Sequence, residues 1–372
     1  MAAICAVGLM SGTSMDGIDL AMLRTDGEHV VERGPSMFVP YEATFRQRIE
    51  AALEDARQIV RRDDRPGALG PLEDEITRRH ADAVSAFLRG SGGDWGRPEL
   101  IGFHGQTVLH RPHLGVTVQI GDGQSLARMT GLPVIFDMRA NDMAHGGQGA
   151  PLVPAYHAAL ARTLPEPFTG HFPMVFVNIG GISNVTYVPE QGDPVAFDSG
   201  PGNALIDQWV WQHGGVPFDA GGAIASEGGV VAAVVERYLD NPFFAKGGPK
   251  SLDRNDFTLA EAAGLELADG SRTLAAVSAR AILKSAEHME KEPALWIVCG
   301  GGRKNPHIVA DLRDGAGQTE VILAEDAGLD GDAMEAEAWA YLAVRSGRKL
   351  PLTFPTTTGC RETVTGGVLA RP

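Results

Sequence analysis

Each half of the chain opens with the same pattern: a short apolar run, a tip of small polar residues, and a second apolar run. In the first half, Ile4–Val7 leads into GLMSGTSMDGID (8–19), and Leu20–Leu23 leads out of it. In the second half, PMVFVNIGG (173–181) is followed by SNVTYVP (183–189). Two apolar runs joined by such a tip are typical of a β-hairpin. The chain is therefore predicted to repeat one architecture twice, although the two halves share no sequence identity.

Strands alternate with helices after both hairpins, which predicts a mostly parallel, three-layer α/β fold. A third strand, HVVERG, follows the first hairpin, and PVAFDSGPGN (194–203) follows the second. Further strands are predicted at 99–105, 116–122, 132–138, 294–302 and 320–326. Helices are predicted at 43–60, 71–90, 124–131, 204–214, 228–240, 271–290, 305–315 and 331–347.

The length of 372 residues favours two domains. The Gly- and Pro-rich segment ANDMAHGGQGAPLVP (140–154) breaks the α/β pattern and is the predicted crossing between them. We expect domain I, with the first hairpin, to comprise 1–141 and 345–372. Domain II, with the second hairpin, is expected to comprise 142–344.

Charge and cysteine content exclude several classes of protein. The net charge of −15 argues against nucleic acid and anionic membrane surfaces as partners. The three cysteines form no CxxC pair, which favours a reducing compartment. The N-terminal MAAICAVGLM has no preceding Lys or Arg, so it is interpreted as a strand rather than a signal peptide. A cytoplasmic protein is expected.

The two hairpin tips are candidate phosphate cradles. Glycines let the backbone approach a phosphate group closely, and backbone N–H groups can point at its oxygens. Asp16 and Asp19 would then lie near a metal ion. The alternative is an ordinary tight turn, in which Gly, Ser and Asp are common. Other motifs fail: there is no G-x-x-x-x-G-K-[ST], no strand-anchored G-x-G-x-x-G, and Asp16 replaces the second Gly of a hydrolase elbow.

Two further strand ends carry candidate residues. In FDSGPGN (197–203), Asp198 ends a buried strand, where ligands of α/β sheets bind, but an Asp there can also cap a helix. VCGGGRKNP (298–306) offers glycines on which a base or ribose could lie, or a tight strand-to-helix connection. His104, His110 and His113 lack the Cys or paired Glu that would support zinc. His104 remains either a polar pocket residue or an ordinary buried or surface histidine.

Eight ordered motifs resemble those of the anhydro-N-acetylmuramic acid kinase family. They are GLMSGTSMDGID, GFHGQTVLH, QIGDGQSLA, FDMRANDMAHGGQGAPLVP, NIGGISNVT, FDSGPGNALID, CGGGRKNP and MEAEAWAYLA. PKSLDRNDF (249–257) departs from the family pattern, where many relatives read closer to KSTGR, although Lys250, Ser251 and Arg254 keep its character. Ser199 stands where many relatives have Thr.

The resemblance implies two ribonuclease-H-like domains of the actin/hexokinase/Hsp70 ATPase type, with an interdomain cleft. It also implies an ATP- and Mg²⁺-dependent kinase of cell-wall recycling and amino-sugar catabolism. In that reaction, water opens 1,6-anhydro-N-acetylmuramic acid at C1 while O6 takes the γ-phosphate. The products are N-acetylmuramic acid 6-phosphate and ADP.

The resemblance also implies roles for individual residues. Asp198 would be the general base. Mg²⁺ would be held through the ATP phosphates, with Asp16 or Asp19 as protein ligand. The ATP and phosphate contacts would be Gly12, Thr13, Ser14, Met15, Asp16, Gly17, Ile18, Asp19, Asn178, Gly180, Gly181, Asn184, Gly300, Gly301, Gly302 and Asn305. The sugar contacts would be Ser14, Asp16, His104, Gln106, Gln148 and Glu335.

Two alternatives stay open at this point. One keeps the fold but changes the substrate to another sugar or a hydroxy acid. The other is a non-catalytic nucleotide-binding or filament protein, against which Asp198 at a Gly-rich strand end argues. The sequence leaves a homodimer open.

Overall fold

The computed structural model describes residues 2–12, 14–90, 95–252 and 256–372. The described strands are β1 Ile4–Ser11, β2 Gly17–Thr25, β3 Val31–Pro40, β4 Leu100–Arg111, β5 Val116–Ile120, β6 Val134–Phe136, β7 Met174–Ile179, β8 Ile182–Val188, β9 Val195–Pro201, β10 Leu295–Cys299, β11 Glu320–Leu323 and β12 Val368–Ala370. The α-helices are α1 Ala43–Ala56, α2 Leu69–Gly90, α3 Gly123–Thr130, α4 Ala140–Ala144, α5 Pro154–Thr163, α6 Ala204–Gly214, α7 Ala232–Leu239, α8 Leu267–Lys284, α9 Pro306–Gly315, α10 Met334–Gly347 and α11 Pro355–Thr358.

The chain forms two compact units. Unit 1 comprises Met1–Thr163 and Ala333–Pro372, and unit 2 comprises Leu164–Asp332. The expected boundaries at 141/142 and 344/345 differ from this division, because α5 and α10 both belong to unit 1. Helix α10 packs on β1, β2 and β4, so it cannot be assigned to the other unit.

The sheet of unit 1 has the order β12-β6-β4-β1-β2-β3, with β5 paired to β4. Strands β1, β4 and β6 are parallel, and β2 is antiparallel to β1. One face of this sheet packs on α1 and α2, whose apolar positions recur at helical spacing and include Phe45, Ile76 and Phe87. The hairpin β1–β2 therefore projects its tip from a strand pair at the centre of a buried sheet.

Helix α10 approaches the opposite side of this sheet so closely that two strand positions have no room for a side chain. A Cβ on Gly8 would overlap the carbonyl oxygen of Ala336, and a Cβ on Gly102 would overlap that of Trp339. The facing helix positions are small, and Ala336 and Ala340 are fully buried. This backbone-to-backbone contact explains why glycine precedes the tip in β1 and why α10 is rich in alanine.

The sheet of unit 2 repeats the same arrangement with the order β11-β10-β7-β8-β9. Strands β7, β10 and β11 are parallel, and β8 is antiparallel to both neighbours. Helices α6, α8 and α9 supply much of the core on one face, where Trp209 and Ile282 pack against Val177 and Phe197. Both sheets thus place the hairpin strands and the two following parallel strands in the order of a ribonuclease-H-like domain, which confirms the expected fold class.

Most predicted elements are present within a few residues of their expected bounds. Helix α6 matches its predicted range of 204–214, whereas β4 extends well past 105 to Arg111. The sequence patterns did not predict α4, α5, α11 or the short strand β12, which pairs with β6. Cys5, Cys299 and Cys360 are buried, and none of the three is in a disulfide. No helix within the described ranges has the length and apolarity that a membrane span requires.

The contact between β1 and α10 generates a stability prediction. Gly8→Ala should lower the free energy of unfolding by about 2 kcal/mol or more, because the added methyl group must displace backbone rather than a flexible side chain. Gly70→Ala in α2 is the matched control, since its Cβ would meet no atom within 4 Å. That control should be neutral or up to about 1 kcal/mol more stable. Equal denaturation midpoints for the two variants would contradict the packing described.

Candidate functional site

Asp198 lies in a row of polar side chains that crosses three strands of unit 2. The pairing register places Asn178 opposite Asn184, and Asn184 opposite Asp198. Directly opposite residues of antiparallel strands share a face, with Cβ atoms about 4.5–5.5 Å apart. The neighbouring residues Ile179, Val185 and Phe197 point into the core on the other face. Strand alternation therefore brings two amides and one carboxylate together at the end of the β7–β8 hairpin.

A β-bulge at Ser199 sets the position of Asp198 in this row. Ser183 pairs with Gly200 and Asn184 pairs with Asp198, so one extra residue is inserted in β9. The hydroxyl of Ser199 lies 2.8 Å from that of Ser183, which also donates to the carbonyl of Gly200 at 3.1 Å. The serine at this position keeps the hydroxyl that a threonine would supply, so the departure from many relatives leaves this contact intact.

The carboxyl group of Asp198 is half-buried and is held from the edge of the sheet. Its Oδ2 accepts a hydrogen bond from the backbone N–H of Leu252 at 2.7 Å. Burial raises the pKa of Asp198 to about 6, while this hydrogen bond and the charge of Lys250 oppose the increase. A carboxylate with a pKa near 6 is a much better proton acceptor near neutral pH than an ordinary aspartate.

The hairpin tip beside this row is pinned by the start of α6. Asn203 and Ala204 donate backbone N–H groups to the carbonyls of Gly180 and Gly181, at 2.8 and 3.1 Å. Gly181 is exposed, and a Cβ placed on it would approach no atom closer than 3.6 Å. The fold therefore does not require glycine at 181, and the open space there faces solvent. This is the property expected of a tip that receives a ligand.

The three glycines after β10 do not behave alike. A Cβ on Gly300 would overlap the side-chain oxygen of Asn178, and one on Gly302 would overlap Ile179, so packing alone requires both. Gly301 is exposed and has room. Asn305 is buried and caps α9 by accepting from the N–H of His307 at 3.0 Å. The tight strand-to-helix connection explains Gly300, Gly302 and Asn305, and only Gly301 remains open to a ligand.

The first hairpin tip, in unit 1, is more exposed. Ser14 and Asp16 are exposed, and the Ser14 hydroxyl donates to Asp16 Oδ1 at 2.7 Å. Met15 adopts the left-handed conformation with φ of 54°, and its N–H donates to the carbonyl of Gly12. A Cβ on Gly12 would also meet nothing closer than 3.6 Å. Thr13 lies outside the described residues.

The last three residues of the predicted phosphate motif belong to strand β2. Ile18 is fully buried in the core of unit 1, so its side chain cannot contact a phosphate. A Cβ on Gly17 would overlap the Phe38 ring and the Val39 carbonyl, so packing requires that glycine. Asp19 is half-buried and pairs in register with Met10 of β1. In this hairpin, only the side chains before Gly17 and that of Asp19 are therefore placed to contact a phosphate group.

Gln106 supports the first hairpin from below. It is fully buried; its side-chain oxygen accepts from the Ser11 hydroxyl at 2.6 Å, and its amide donates to the carbonyl of Gly12 at 3.0 Å. The Ser11 hydroxyl also lies 3.0 Å from that of Tyr41. Both ends of the amide therefore hold the hairpin tip, and a sugar contact from Gln106 stays a prediction.

His104 lies in a buried polar group that sequence analysis only partly anticipated. Its Nε2 accepts from the Arg139 guanidinium at 3.1 Å, and its ring lies 4.6 Å from that of Trp339. Burial, reinforced by Arg139, holds the pKa of His104 well below its ordinary value, so the ring is neutral. Burial disfavours the charged form of Glu335 in the same way and so raises its pKa, an effect that the charge of Arg139 opposes. Arg139 was not among the predicted site residues, although it lies in the motif FDMRANDMAHGGQGAPLVP.

His104 also lines a cavity of about 390 Å³ within unit 1. Most of its other lining side chains are polar or charged and include Arg62, Gln119, Asp122 and Asp137. Arg62 forms an ion pair with Asp137 across it. A cavity of this size and polarity suits a hydroxylated ligand better than an apolar one.

The glycine-rich segment after α4 is organised by Asp142, which sequence analysis also missed. Asp142 is buried; it accepts from the N–H of Gly149 at 2.7 Å and from the hydroxyls of Thr353 and Thr358, both at 2.6 Å. Gln148 is half-buried, and its backbone N–H donates to the carbonyl of Thr358 at 2.9 Å. Asp142 thus fixes the loop that presents Gln148.

Comparison with known proteins places the chain in a family. The family model described as anhydro-N-acetylmuramic acid kinase matches residues 5–371. The chain belongs to this family. A relative of that name from Agrobacterium fabrum is 57% identical over 368 residues, covering 98% of each chain. One from Brucella suis is 58% identical over 372 residues, covering 99% of this chain and 98% of the relative.

Solved structures give more distant matches. Component A of the (R)-2-hydroxyglutaryl-CoA dehydratase of Acidaminococcus fermentans is 12% identical, with a TM-score of 0.48 over 93% of this chain and 100% of that one. A ROK family glucokinase from Streptomyces griseus is 14% identical, with a TM-score of 0.41 over 91% of this chain and 99% of that one.

Because the pKa of Asp198 is raised in the native state, replacing its carboxyl group should increase the free energy of unfolding by an amount that depends on pH. Between the ordinary carboxyl pKa and about 6, the native state binds more protons than the unfolded state, so wild-type stability falls as pH rises through this window. Asp198→Asn avoids this loss. Its advantage in free energy of unfolding should grow by about 1 kcal/mol between pH 5 and pH 8.

Denaturant titrations at both pH values measure this difference, and Asp193→Asn, on the exposed loop before β9, controls for the change in net charge. An advantage of Asp198→Asn that is the same at both pH values would show that the carboxyl group is not desolvated in the native state.

Proposed function

We propose that this chain, which its family membership establishes as an ATP-dependent kinase of 1,6-anhydro-N-acetylmuramic acid, opens the sugar with water as it phosphorylates it. The observation that carries the proposal is Asp198: a half-buried carboxylate with a raised pKa, in one row with Asn178 and Asn184, beside an open glycine tip. This arrangement offers a proton acceptor next to a group of donors suited to an anion.

The proposed chemistry couples two bond changes on one sugar. A water oxygen forms a bond to C1, and the bond from C1 to O6 of the anhydro bridge breaks. O6 takes the γ-phosphoryl group of ATP, and ADP leaves. A sugar alkoxide is a poor leaving group that ordinarily needs a general acid. Capture of O6 by the phosphoryl group fulfils that need, so one base that removes the proton of water is sufficient.

Asp198 is the proposed base. The Leu252 N–H holds one carboxylate oxygen, Oδ2, which leaves Oδ1 for the attacking water. Its pKa of about 6 keeps it ionised at neutral pH while making it a stronger base than an exposed aspartate. The amides of Asn178 and Asn184 share its face and can donate hydrogen bonds without competing for the proton.

The hairpin tips are the proposed phosphate contacts. Gly12 and Gly181 each leave space that the fold does not use, and exposed backbone at such positions can approach phosphate oxygens. The exposed carboxylate of Asp16, beside the Ser14 hydroxyl, offers the oxygen donors that Mg²⁺ prefers, and few protein ligands suit an ion that keeps waters and phosphate oxygens. Bound Mg²⁺ would neutralise phosphate charge.

For the sugar, the proposal assigns the buried polar group around His104. The neutral ring of His104, the guanidinium of Arg139 and the carboxyl group of Glu335 supply donors and acceptors for hydroxyl, acetamide and lactyl groups. Gln148 adds an amide from the neighbouring loop. The same proposal includes small-molecule substrates and a cytoplasmic location. It includes no nucleic-acid partner, in line with the net charge of −15.

Substrate-dependent ADP release tests the proposal. Wild-type protein should release ADP from ATP when 1,6-anhydro-N-acetylmuramic acid is present and release little without it. Asp198→Asn should bind ATP with near wild-type affinity, while its kcat falls by at least about a hundredfold, because an amide is a far weaker base.

Ring opening and phosphorylation should fall together in this variant, since the two steps share one transition state. Mass spectrometry of the sugar products measures both. Turnover of a different sugar but not of the anhydro-sugar would contradict the substrate assignment, and a kcat within a few-fold of wild type would remove Asp198 from the role of base.

A further inference from the structure

An irregular segment, residues 250–252, runs along the open edge of strand β9 and contacts Asp198 twice. The backbone N–H of Asp198 donates to the carbonyl of Lys250 at 2.9 Å. The backbone N–H of Leu252 donates to Asp198 Oδ2 at 2.7 Å. One contact fixes the backbone of Asp198 and the other fixes its carboxylate. The orientation of the carboxyl group therefore depends on where this segment lies.

The side chain of Lys250 anchors the segment to the core of unit 2. Its ammonium group donates to the carbonyls of Lys246 and Phe243, at 2.7 and 3.3 Å. It also lies over two aromatic rings, 4.5 Å from the centroid of Phe243 and 5.4 Å from that of Phe197. Two hydrogen bonds and two cation–π contacts hold one half-buried amine in place. Since Phe197 directly precedes Asp198, the anchor and the carboxylate belong to one local structure.

Ser251 and Leu252, the next two residues of the segment, differ in how far they are buried. Ser251 is exposed, whereas Leu252 is buried in the core cluster of unit 2. Leu252 fixes the far end of the segment through apolar packing, and Lys250 fixes the near end through its charge. Without the ammonium group, the carbonyl of Lys246 would lose this donor, and that of Phe243 would keep the backbone N–H of Lys246 at 3.2 Å. The near end of the segment would lose its charged anchor.

We infer that Lys250 is a positioning residue for Asp198, which it acts on through the backbone of residues 250–252 rather than by touching a substrate. This inference rests on the proposed role of Asp198 as general base. It assigns a structural purpose to the lysine in the segment that departs from the family pattern. A lysine near a kinase site could instead bind phosphate, but the donors of this amine already point to protein carbonyls and aromatic faces.

The same charge acts on the acidity of Asp198. The ammonium of Lys250 lowers the pKa of the carboxyl group and so limits the effect of burial. The other charged groups that act on Lys250 are Lys246 and Glu287, and Glu287 is itself paired with Lys284 at 3.1 Å. The ring of His288 lies 6.1 Å from that of Phe197, and its Nε2 lies 2.7 Å from the carbonyl oxygen of Phe244.

Lys250→Met, which keeps the apolar stem and removes the ammonium group, tests the inference. Lys246→Met is the matched control: it removes the same charge from an exposed side chain four residues away. In Lys250→Met, we expect kcat to fall by about tenfold or more with little change in the KM for ATP, because a displaced base slows chemistry without weakening binding. The acid limb of the pH profile of kcat should move to higher pH. The control should change neither.

A second readout does not depend on turnover. The ¹³C chemical shift of the Asp198 side-chain carboxyl, followed as a function of pH, should report a pKa higher by roughly half a unit or more in Lys250→Met and unchanged in Lys246→Met. If wild-type protein does not turn over the anhydro-sugar, the proposed function fails, and this titration still decides whether Lys250 controls Asp198.

Two outcomes would overturn the inference. One is a Lys250→Met variant that is less stable but has wild-type kcat and wild-type carboxyl titration, since Lys250 would then serve folding alone. The other is a raised KM for ATP with unchanged kcat, which would place Lys250 in phosphate binding. If Lys250→Met does not fold, Lys250→Gln carries the same test, because its amide can still donate to the Lys246 carbonyl without the charge.

Discussion

The direct contact of helix α10 with strands β1 and β4 is the constraint on which unit 1 depends. Because Gly8 and Gly102 have no side chains, the helix backbone lies against the sheet, and Trp339 reaches the ring of His104. The same helix carries Glu335, whose carboxyl group interacts with Arg139. A residue late in the chain is thereby brought beside residues of β4 and the loop after β6. The close contact thus also builds the polar group that we assign to the sugar.

In unit 2, the sheet holds the carboxylate of Asp198 partly out of water without a direct ion pair to a cation among the described residues. Cross-strand register lines up Asn178, Asn184 and Asp198, and the bulge at Ser199 sets the last of them. A single backbone N–H and the nearby charge of Lys250 offset part of the cost of burial. A direct ion pair with Lys250 would lower the pKa of Asp198 and make it a weaker base. Without the Leu252 N–H and the charge of Lys250, burial would leave the carboxyl group protonated at neutral pH.

Much of this was predictable because hairpins and buried strands have strong local signals. Alternation and turn residues predicted both hairpins. Asp198 was expected at the end of its strand, whereas β9 continues past it to Pro201, and its role as base stays a prediction. The features that local patterns did not predict depend on packing between distant parts of the chain. Gln106 has the composition of a ligand contact, but its amide holds the hairpin, and Ile18 lies in the core because strand β2 begins at Gly17. The expected boundary differs from the observed one because α10 belongs with β1 and β4, and its partners Gly8 and Gly102 are distant from it in sequence. Thr13 and Arg254 lie outside the described residues.

In the proposed reaction, water attacks C1 with Asp198 as base while O6 receives the phosphoryl group. The most direct test is a single turnover in ¹⁸O-labelled water with 1,6-anhydro-N-acetylmuramic acid and ATP, followed by mass spectrometry and NMR of the product. We predict that the label appears at C1 of N-acetylmuramic acid 6-phosphate, and that the first-formed anomer is inverted because attack comes from the face opposite O6. Label on the phosphate group instead of C1 would show that water does not attack the sugar carbon.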